Sequence, residues 1–240
     1  YCFTDANGFT TPDRFDTSQG KTKIRYLIEK GNVKILQPAH DIEIFLVPHW
    51  FDELEYYAQK GIIISFATKS NIPPRHIEKL KIIDSILREK GSFLNIAVSL
   101  TRLYDWKEIE VKTPSPARRI ETAKRLYNAG ISTTIALRPT LPFVSEEEFK
   151  EIITLTAPYC DNYITGTLWL TSAMKEYMKE KCPEYTVGQR QASWMVKGTV
   201  MEYVDTTKAQ AVVHTICHEY GKECFDGNIE AVEHVRKVRP

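Results

Sequence analysis

The sequence predicts an α/β fold built on a parallel sheet, which either closes into a barrel or stays open and doubly wound. Short apolar runs rich in Ile, Val and Phe alternate with amphipathic helical segments through the first two thirds of the chain. Several helical segments are followed at once by glycine, a common end of a helix. This alternation implies parallel strands joined by right-handed crossovers.

The predicted elements follow from periodicity and capping signals. The predicted strands are residues 33–37 with 42–47 as one interrupted strand, then 62–67, 93–100, 133–138 and 163–170. Helices are predicted at 50–60 and 74–90, from Pro116 after the cap Ser115, and after Ser145, which forms a capping box with Glu148. From residue 171 the alternation stops, although 206–220 has helical spacing. We therefore expect a barrel over 1–170 and a short, α-rich extension over 171–240 that covers the substrate.

Composition and charge argue against several classes of protein. The chain has 240 residues and a net charge of +1, which argues against a nucleic-acid binder that works through bulk charge. No apolar run reaches the length of a membrane span, so no membrane partner is expected. Five scattered cysteines do not resemble a disulfide framework, and we expect a cytoplasmic protein. Because the chain opens on Tyr1 without Met, we also expect further sequence upstream.

Polar residues stand near the end of each predicted strand, where ligands bind in parallel α/β folds. They include Asp41 and Glu43, Lys69 and Ser70, Ser99, and Arg138. Each one alone could equally be a cap or turn former, and Arg138 could equally form a structural salt bridge. Their recurrence at successive strand ends favours a binding site.

Five stretches resemble the radical S-adenosylmethionine (SAM) superfamily, closest to the branch of spore photoproduct lyase and the DNA-repair-photolyase-like proteins. Tyr-Cys-Phe at residues 1–3 resembles the end of the family's cluster loop, and His40-Asp41 resembles a pair that replaces its Gly-Gly-Glu segment. Thr-Lys-Ser at 68–70 and Ala-Val-Ser at 97–99 are similar to two strand ends of the branch. Pro-Ser-x-x-x-Arg at 114–119, which runs on to Ala-Gly-Ile at 129–131, is the most specific match.

The resemblance implies a partial (βα)6 TIM-like barrel whose first strand is missing from this chain. It also implies a [4Fe–4S] cluster with Cys2 as the third cysteine ligand, the other two preceding Tyr1. Asp41 is the first choice and Glu43 the second for holding the SAM amino group. The remaining roles toward SAM fall on Lys69 and Ser70, on Ser99 at the ribose, and on Arg138 as a clamp for the carboxylate.

The implied function is reductive cleavage of SAM to a 5′-deoxyadenosyl radical, which abstracts a hydrogen atom from an unidentified organic substrate. A small molecule or peptide is favoured over DNA, and a flavodoxin or ferredoxin would donate the electron. Three alternatives stay open: repair or modification of nucleic acid by the same chemistry, a non-catalytic barrel that has lost the cluster, and an ordinary barrel hydrolase or aldolase. An auxiliary metal site near Cys217 and Cys224 is a weaker alternative to ordinary packing.

Overall fold

The computed structural model describes residues 18–31, 33–38, 43–191 and 198–239. Its helices are α1 (Ser18–Glu29), α2 (Trp50–Ala58), α3 (Pro74–Glu89), α4 (Pro116–Asn128), α5 (Glu146–Thr156), α6 (Ser172–Lys181), α7 (Thr207–Glu219) and α8 (Asn228–Val238). Its strands are β1 (Ile35–Leu36), β2 (Ile63–Thr68), β3 (Leu94–Ser99), β4 (Ser132–Leu137), β5 (Asn162–Thr165), β6 (Leu168–Trp169), β7 (Val187–Gln191), β8 (Val200–Val204) and β9 (Cys224–Phe225). None of these helices is long and apolar enough to cross a membrane.

Six parallel strands form a curled half-barrel in the order β1-β2-β3-β4-β5-β9. Each neighbouring pair is parallel, from Ile35 beside Ile63 to Ile164 beside Phe225. The prediction of a partial TIM-like barrel is thus confirmed. A second, antiparallel sheet in the order β6-β8-β7 continues the chain beyond β5.

Two strand predictions are wrong in detail. The apolar residues Ile44–Leu46 form a single 3-10 turn instead of a strand, because the chain turns there into α2. The predicted strand over 163–170 is divided at Gly166 and Thr167, so that β5 lies in the barrel and β6 in the antiparallel sheet.

The sixth barrel strand comes from the segment that the sequence predicted as an α-rich extension. Strand β9 pairs with β5, and α7 and α8 pack on the same part of the barrel. A strand of two residues is too short to show the alternation that identifies strands in a sequence. The barrel therefore contains residues from before and after position 170, where the sequence analysis placed the end of the barrel.

Helix boundaries follow the capping signals only in part. Ser145 accepts a hydrogen bond from the Glu148 N–H, as predicted for the cap of α5. The capping box also predicts a hydrogen bond from the Ser145 N–H to the Glu148 side chain, and this prediction is wrong. The Glu148 carboxylate instead accepts hydrogen bonds from the N–H groups of Leu103 (2.5 Å) and Tyr104 (3.2 Å). Ser115 precedes α4 but makes no side-chain cap hydrogen bond.

The two faces of the half-barrel are buried by different elements. The outer face packs in the main core, where Ile64, Ile96 and Ile135 meet the surrounding helices. On the concave face, Ala97, Ala136 and Ile164 of three neighbouring strands pack with Ala231 of α8. The last helix therefore lies against the inside of the sheet.

A row of polar side chains crosses the same concave face. The Asn95 amide donates to Ser65 Oγ at 3.2 Å, and Thr134 Oγ1 donates to Asn95 Oδ1 at 3.1 Å or to Asn162 Oδ1 at 2.9 Å. The Asn162 amide then donates to the Ala231 carbonyl of α8 at 2.9 Å. Because buried polar groups need partners, this row fixes how the strands and the last helix meet.

Candidate active site at the carboxyl ends of the strands

The strand-end residues Lys69, Ser99 and Arg138 project from the concave face. Side chains two apart along a strand share a face. Ser99 follows Ala97 and Arg138 follows Ala136 at this spacing, and both alanines pack inside the barrel. Lys69 follows Ser65, a member of the inner polar row, by two such steps. The structure therefore brings these predicted residues to one rim, above the part of the sheet that α8 covers.

Glu43 is anchored at the end of β2. The Thr68 hydroxyl lies 2.8 and 3.0 Å from the two Glu43 carboxylate oxygens, and the Lys69 N–H donates to Oε2 at 3.1 Å. Burial raises the pKa of Glu43, an effect that hydrogen bonds from Thr68, Lys69 and Ser70 reduce without cancelling. The carboxylate is thus held in one position beside the end of β2, and the predicted residues Glu43, Lys69 and Ser70 are neighbours.

A buried ion network lies beside Glu43. Glu110 is 3% exposed, and its Oε1 lies 2.8 Å from Lys69 Nζ while its Oε2 accepts from Arg119 Nη2 at 2.6 Å. Arg119 is fully buried and also donates from Nη1 to the Ser99 carbonyl at 2.9 Å. Burial alone would raise the pKa of Glu110, but the charges of Lys69 and Arg119 outweigh it and lower the pKa.

The network explains one motif and adds a residue that sequence reasoning missed. Arg119 is the last residue of the Pro-Ser-x-x-x-Arg stretch, and its side chain joins α4 to the end of β3. Glu110 gave no signal in the sequence, since it lies in the irregular segment between β3 and α4. A lone acidic residue in a loop is usually solvated, and only the fold shows that this one is enclosed by two cations.

Two buried hydroxyl groups at and just after the end of β3 have no partner in the described part of the chain. Ser99 Oγ and Thr101 Oγ1 are inaccessible and make no hydrogen bond there. A buried hydroxyl without a partner is costly, so such groups are often completed by a ligand. Ser99 was the predicted ribose contact, and Thr101 adds a second hydroxyl beside it.

Arg138 lies away from Glu43 and Lys69, toward the antiparallel sheet. Its side chain crosses Gly166, where a Cβ would fall 2.6 Å from Arg138 Cγ. Burial lowers the pKa of the Arg138 guanidinium, and the nearby charge of Arg190 lowers it further. The residue as a whole is nonetheless exposed to solvent. The predicted alternative of a structural salt bridge finds no carboxylate partner within the described ranges.

The remaining predictions concern Asp41, the cluster ligand Cys2 and the alternative metal site near Cys217 and Cys224. Cys2 and Asp41 lie outside the described residues. Across the residues that are described, no group of three or more His, Cys, Asp or Glu side chains is arranged to hold a metal ion. Cys217 is buried against Cys224, whose hydrogen bond to it, together with burial, raises the pKa of the Cys217 thiol.

Comparison with known proteins gives one relative and a set of similar structures. No protein-family profile matches the chain. An uncharacterized protein of Methanocaldococcus jannaschii, MJ0683, is 28% identical over 158 residues, which cover 64% of this chain and 57% of that protein. The chain thus matches little more than half the length of this relative.

Among solved structures, a mutant of spore photoproduct lyase superposes with a TM-score of 0.61 and 14% identity, covering 86% of this chain and 64% of that one. SuiB of Streptococcus suis, bound to S-adenosylmethionine, superposes with a TM-score of 0.56 and 14% identity, covering 85% of this chain and 40% of that one. Both are radical SAM enzymes. The chain has the radical SAM fold. The resemblance found in the sequence motifs is thereby confirmed at the level of the fold.

Proposed function

We propose that this chain is the SAM-binding half-barrel of a radical SAM enzyme, and that its substrate is a small molecule or a peptide. The observation that carries the proposal is the rim of a radical SAM fold on which Glu43, Lys69 and Ser99 stand together. When bound, a [4Fe–4S] cluster and SAM supply one-electron cleavage of the sulfonium to a 5′-deoxyadenosyl radical. The proposed reaction class is abstraction of a hydrogen atom from the substrate.

The residues of the rim fit the polar groups of SAM. Ser99 Oγ and Thr101 Oγ1, buried and unpartnered in the described part of the chain, are suited to the ribose hydroxyls. The Glu43 carboxylate is an acceptor suited to the amino group, and its position is fixed by Thr68 and the Lys69 N–H. Asp41 remains the first choice for this role from the sequence but lies outside the described residues, and Glu43 is the second choice.

The network beneath the rim would position Lys69 for the SAM carboxylate. Lys69 Nζ is a donor with three hydrogens, and Glu110 occupies only one direction around it. Glu110 is itself fixed by Arg119, which is tied to the Ser99 carbonyl. Lys69 and Ser99 are therefore held relative to each other before any ligand arrives, which lowers the entropic cost of binding.

The concave face below the rim would keep water away from the reaction. Ala97, Ala136 and Ile164 close it from the strands and Ala231 from α8. Small apolar side chains leave room above them for a ligand without offering it polar groups. Exclusion of water prevents side reactions of a reactive species.

The cluster part of the proposal rests on the sequence resemblance. Cys2 is the proposed third ligand, because thiolates are the usual ligands of iron–sulfur centres. A flavodoxin or ferredoxin is the proposed electron donor. The preference for a small molecule or peptide rests on the net charge of +1, and it agrees with a structure of SuiB bound to the precursor peptide SuiA.

The decisive test is anaerobic reconstitution of the longest native form of the protein with iron and sulfide, followed by dithionite and SAM. We expect bound iron and 5′-deoxyadenosine, both lost in Cys2→Ala. Glu43→Gln should keep the iron but weaken SAM binding, which a Lys81→Gln control on the exposed face of α3 should not do. A protein that binds no iron would contradict the proposal and favour a non-catalytic binding barrel.

The nucleic-acid alternative has its own readout in the same preparation. Spore photoproduct lyase has been solved with a dinucleoside spore photoproduct, so oligonucleotides are a reasonable second probe. Binding through phosphates falls steeply as salt concentration rises. Tight oligonucleotide binding with a steep salt dependence would replace the small-molecule or peptide substrate by a nucleic acid and leave the radical chemistry in place.

A further inference from the structure

Two arginine side chains converge on the Gly166–Thr167 step between β5 and β6. Arg138 crosses Gly166, where a Cβ would fall 2.7 Å from Arg138 Nε, so a larger residue would displace the guanidinium. Arg190 of β7 reaches the next residue, and its Nη2 donates to Thr167 Oγ1 at 2.5 Å. The barrel and the antiparallel sheet thus each contribute one guanidinium to the same place.

Arg190 is held in position before any ligand is bound. Its guanidinium carbon lies 4.8 Å from the ring centre of Trp169 and 4.8 Å from that of Tyr203. Tyr203 can approach in this way because residue 188 is glycine, whose Cβ would fall 2.5 Å from Tyr203 Cζ. A guanidinium held over aromatic rings by cation–π contacts keeps N–H groups available for an anion, because the rings take none of its hydrogen bonds.

The charges of this pair are not neutralised by the protein around them. The nearby carboxylates are engaged elsewhere: Glu202 with Lys175, Asp205 with Thr207, and Asp226 with Thr165 and His214. Within the described ranges, no carboxylate forms an ion pair with Arg138 or Arg190. Two like charges in a partly enclosed place repel each other, and a bound anion would relieve that repulsion.

An open cavity of about 300 Å3 adjoins Arg190. Besides Arg190 and Tyr203, its walls include the polar side chains of Thr167, Thr206 and Gln210. The wall also contains one carboxylate, Asp205, which accepts hydrogen bonds from the N–H and hydroxyl of Thr207. Hydroxyl and amide donors beside a guanidinium are the groups that bind carboxylates and phosphates. The cavity is large enough for such a group together with part of the molecule that carries it.

We propose that Arg138 and Arg190 form a subsite for an oxyanion, a carboxylate or a phosphate, that belongs to the substrate. The proposal deepens the proposed function and rests on it. The site is separate from Glu43 and Lys69, since β2 and β4 are two strand spacings apart, about 10 Å. Arg190 contacts Thr167, which follows β5, the next strand beyond β4. The oxyanion is therefore the substrate's, whereas the SAM carboxylate would lie toward Lys69.

The test is a titration of the full chain with inorganic phosphate and, separately, acetate at constant ionic strength, with chloride as the blank. The readout is the NMR signal of the arginine Nε–Hε groups. We expect the Arg138 and Arg190 signals to shift in a saturable way with one or both anions, which also identifies the source of the oxyanion as phosphate or carboxylate. Arg138→Gln or Arg190→Gln should weaken the binding by about tenfold, whereas Arg236→Gln, an exposed arginine of α8 paired with Glu233, should not.

A further variant distinguishes loss of the anion site from loss of the fold. Gly166→Ala keeps both charges but inserts a Cβ against the Arg138 side chain, so it should weaken anion binding while the circular dichroism spectrum stays that of the unmodified protein. Anion binding that is unaffected by all three substitutions, or no saturable shift at all, would overturn the subsite.

Two further measurements separate the subsite from SAM binding and from the proposed function. Arg138→Gln and Arg190→Gln should leave SAM affinity unchanged; a tenfold loss of SAM affinity would show that the anion is the SAM carboxylate and overturn the proposal. The NMR titration needs neither iron nor reductant. If the unmodified protein makes no 5′-deoxyadenosine, the proposed function fails while the anion titration still decides the subsite.

Discussion

At the ends of β2 and β3, Lys69 and Arg119 share the carboxylate of Glu110; Glu110 and Arg119 are buried, and Lys69 is partly exposed. At the end of β4, Arg138 meets Arg190 with no such carboxylate among the described residues, and both are open to solvent. The cations of the first arrangement are balanced by a carboxylate of the chain itself, whereas the two guanidinium groups of the second are not. The two ends of one rim therefore differ in charge: Lys69 is held in place by Glu110, and Arg138 and Arg190 keep an uncompensated positive charge.

Removing the central charge of the buried network should have the largest effect. Glu110→Gln leaves the fully buried Arg119 without an anion, which we expect to destabilise the fold by about 3–5 kcal/mol. Urea unfolding at pH 7 measures the change. The control is Glu121→Gln, an exposed partner of Arg125 on α4, for which less than about 0.5 kcal/mol is expected. Equal losses of stability in Glu110→Gln and Glu121→Gln would show that the buried network stabilises the fold no more than an exposed ion pair does.

The buried network should also make stability depend on pH. The change in the free energy of unfolding should be smaller than the loss caused by Glu110→Gln. Because the folded state lowers the pKa of Glu110, the stabilisation is fully present above about pH 4.5 and is lost as the pH falls through the folded-state pKa. Glu43 contributes with the opposite sign, since its raised pKa favours the protonated form in the folded state. Urea titrations from pH 6 to pH 3 should therefore show a smaller loss of stability in Glu110→Gln than in the unmodified protein. An identical acid profile in the two proteins would contradict the role assigned to Glu110.

Removing one charge from the arginine pair should have the smallest effect and the opposite sign. Arg138→Gln ends the repulsion with Arg190, so we expect stability at pH 7 to rise, by no more than about 0.5 kcal/mol because solvent screens exposed charges. Differential scanning calorimetry at low salt, where screening is weakest, gives the clearest measurement. A loss of more than about 1 kcal/mol would mean that Arg138 has a structural partner and would remove the contrast between the two ends of the rim.

The residues of the rim could be predicted from the sequence because each of them follows the end of a recognisable strand. Strand ends can be read from apolar runs, and Lys69, Ser99 and Arg138 follow those ends at positions that share the inner face. The helices α3 and α4 were predicted nearly to the residue, since their apolar spacing and the prolines at their first turns are strong local signals.

What the sequence did not show depends on contacts between distant segments. Glu110 and Arg190 lie in a loop and in a hairpin, where neither spacing nor composition marks a binding residue. Strand β9 has two residues, and only pairing with Tyr163 and Ile164 makes it part of the barrel. The turn at Ile44–Leu46 is apolar like a strand because it packs on the core, and burial alone does not distinguish the two conformations.

The polar row inside the barrel has a consequence for how the protein is made. Its last link joins Asn162 to the Ala231 carbonyl, 69 positions later, and the same helix covers Ala97 and Ala136. On the ribosome, β2 to β5 can therefore pair their inner polar groups with one another, but the Asn162 amide and the apolar surface at Ala97 and Ala136 stay uncovered until the C-terminal helix is synthesised. A chaperone that shields this surface would act in that interval.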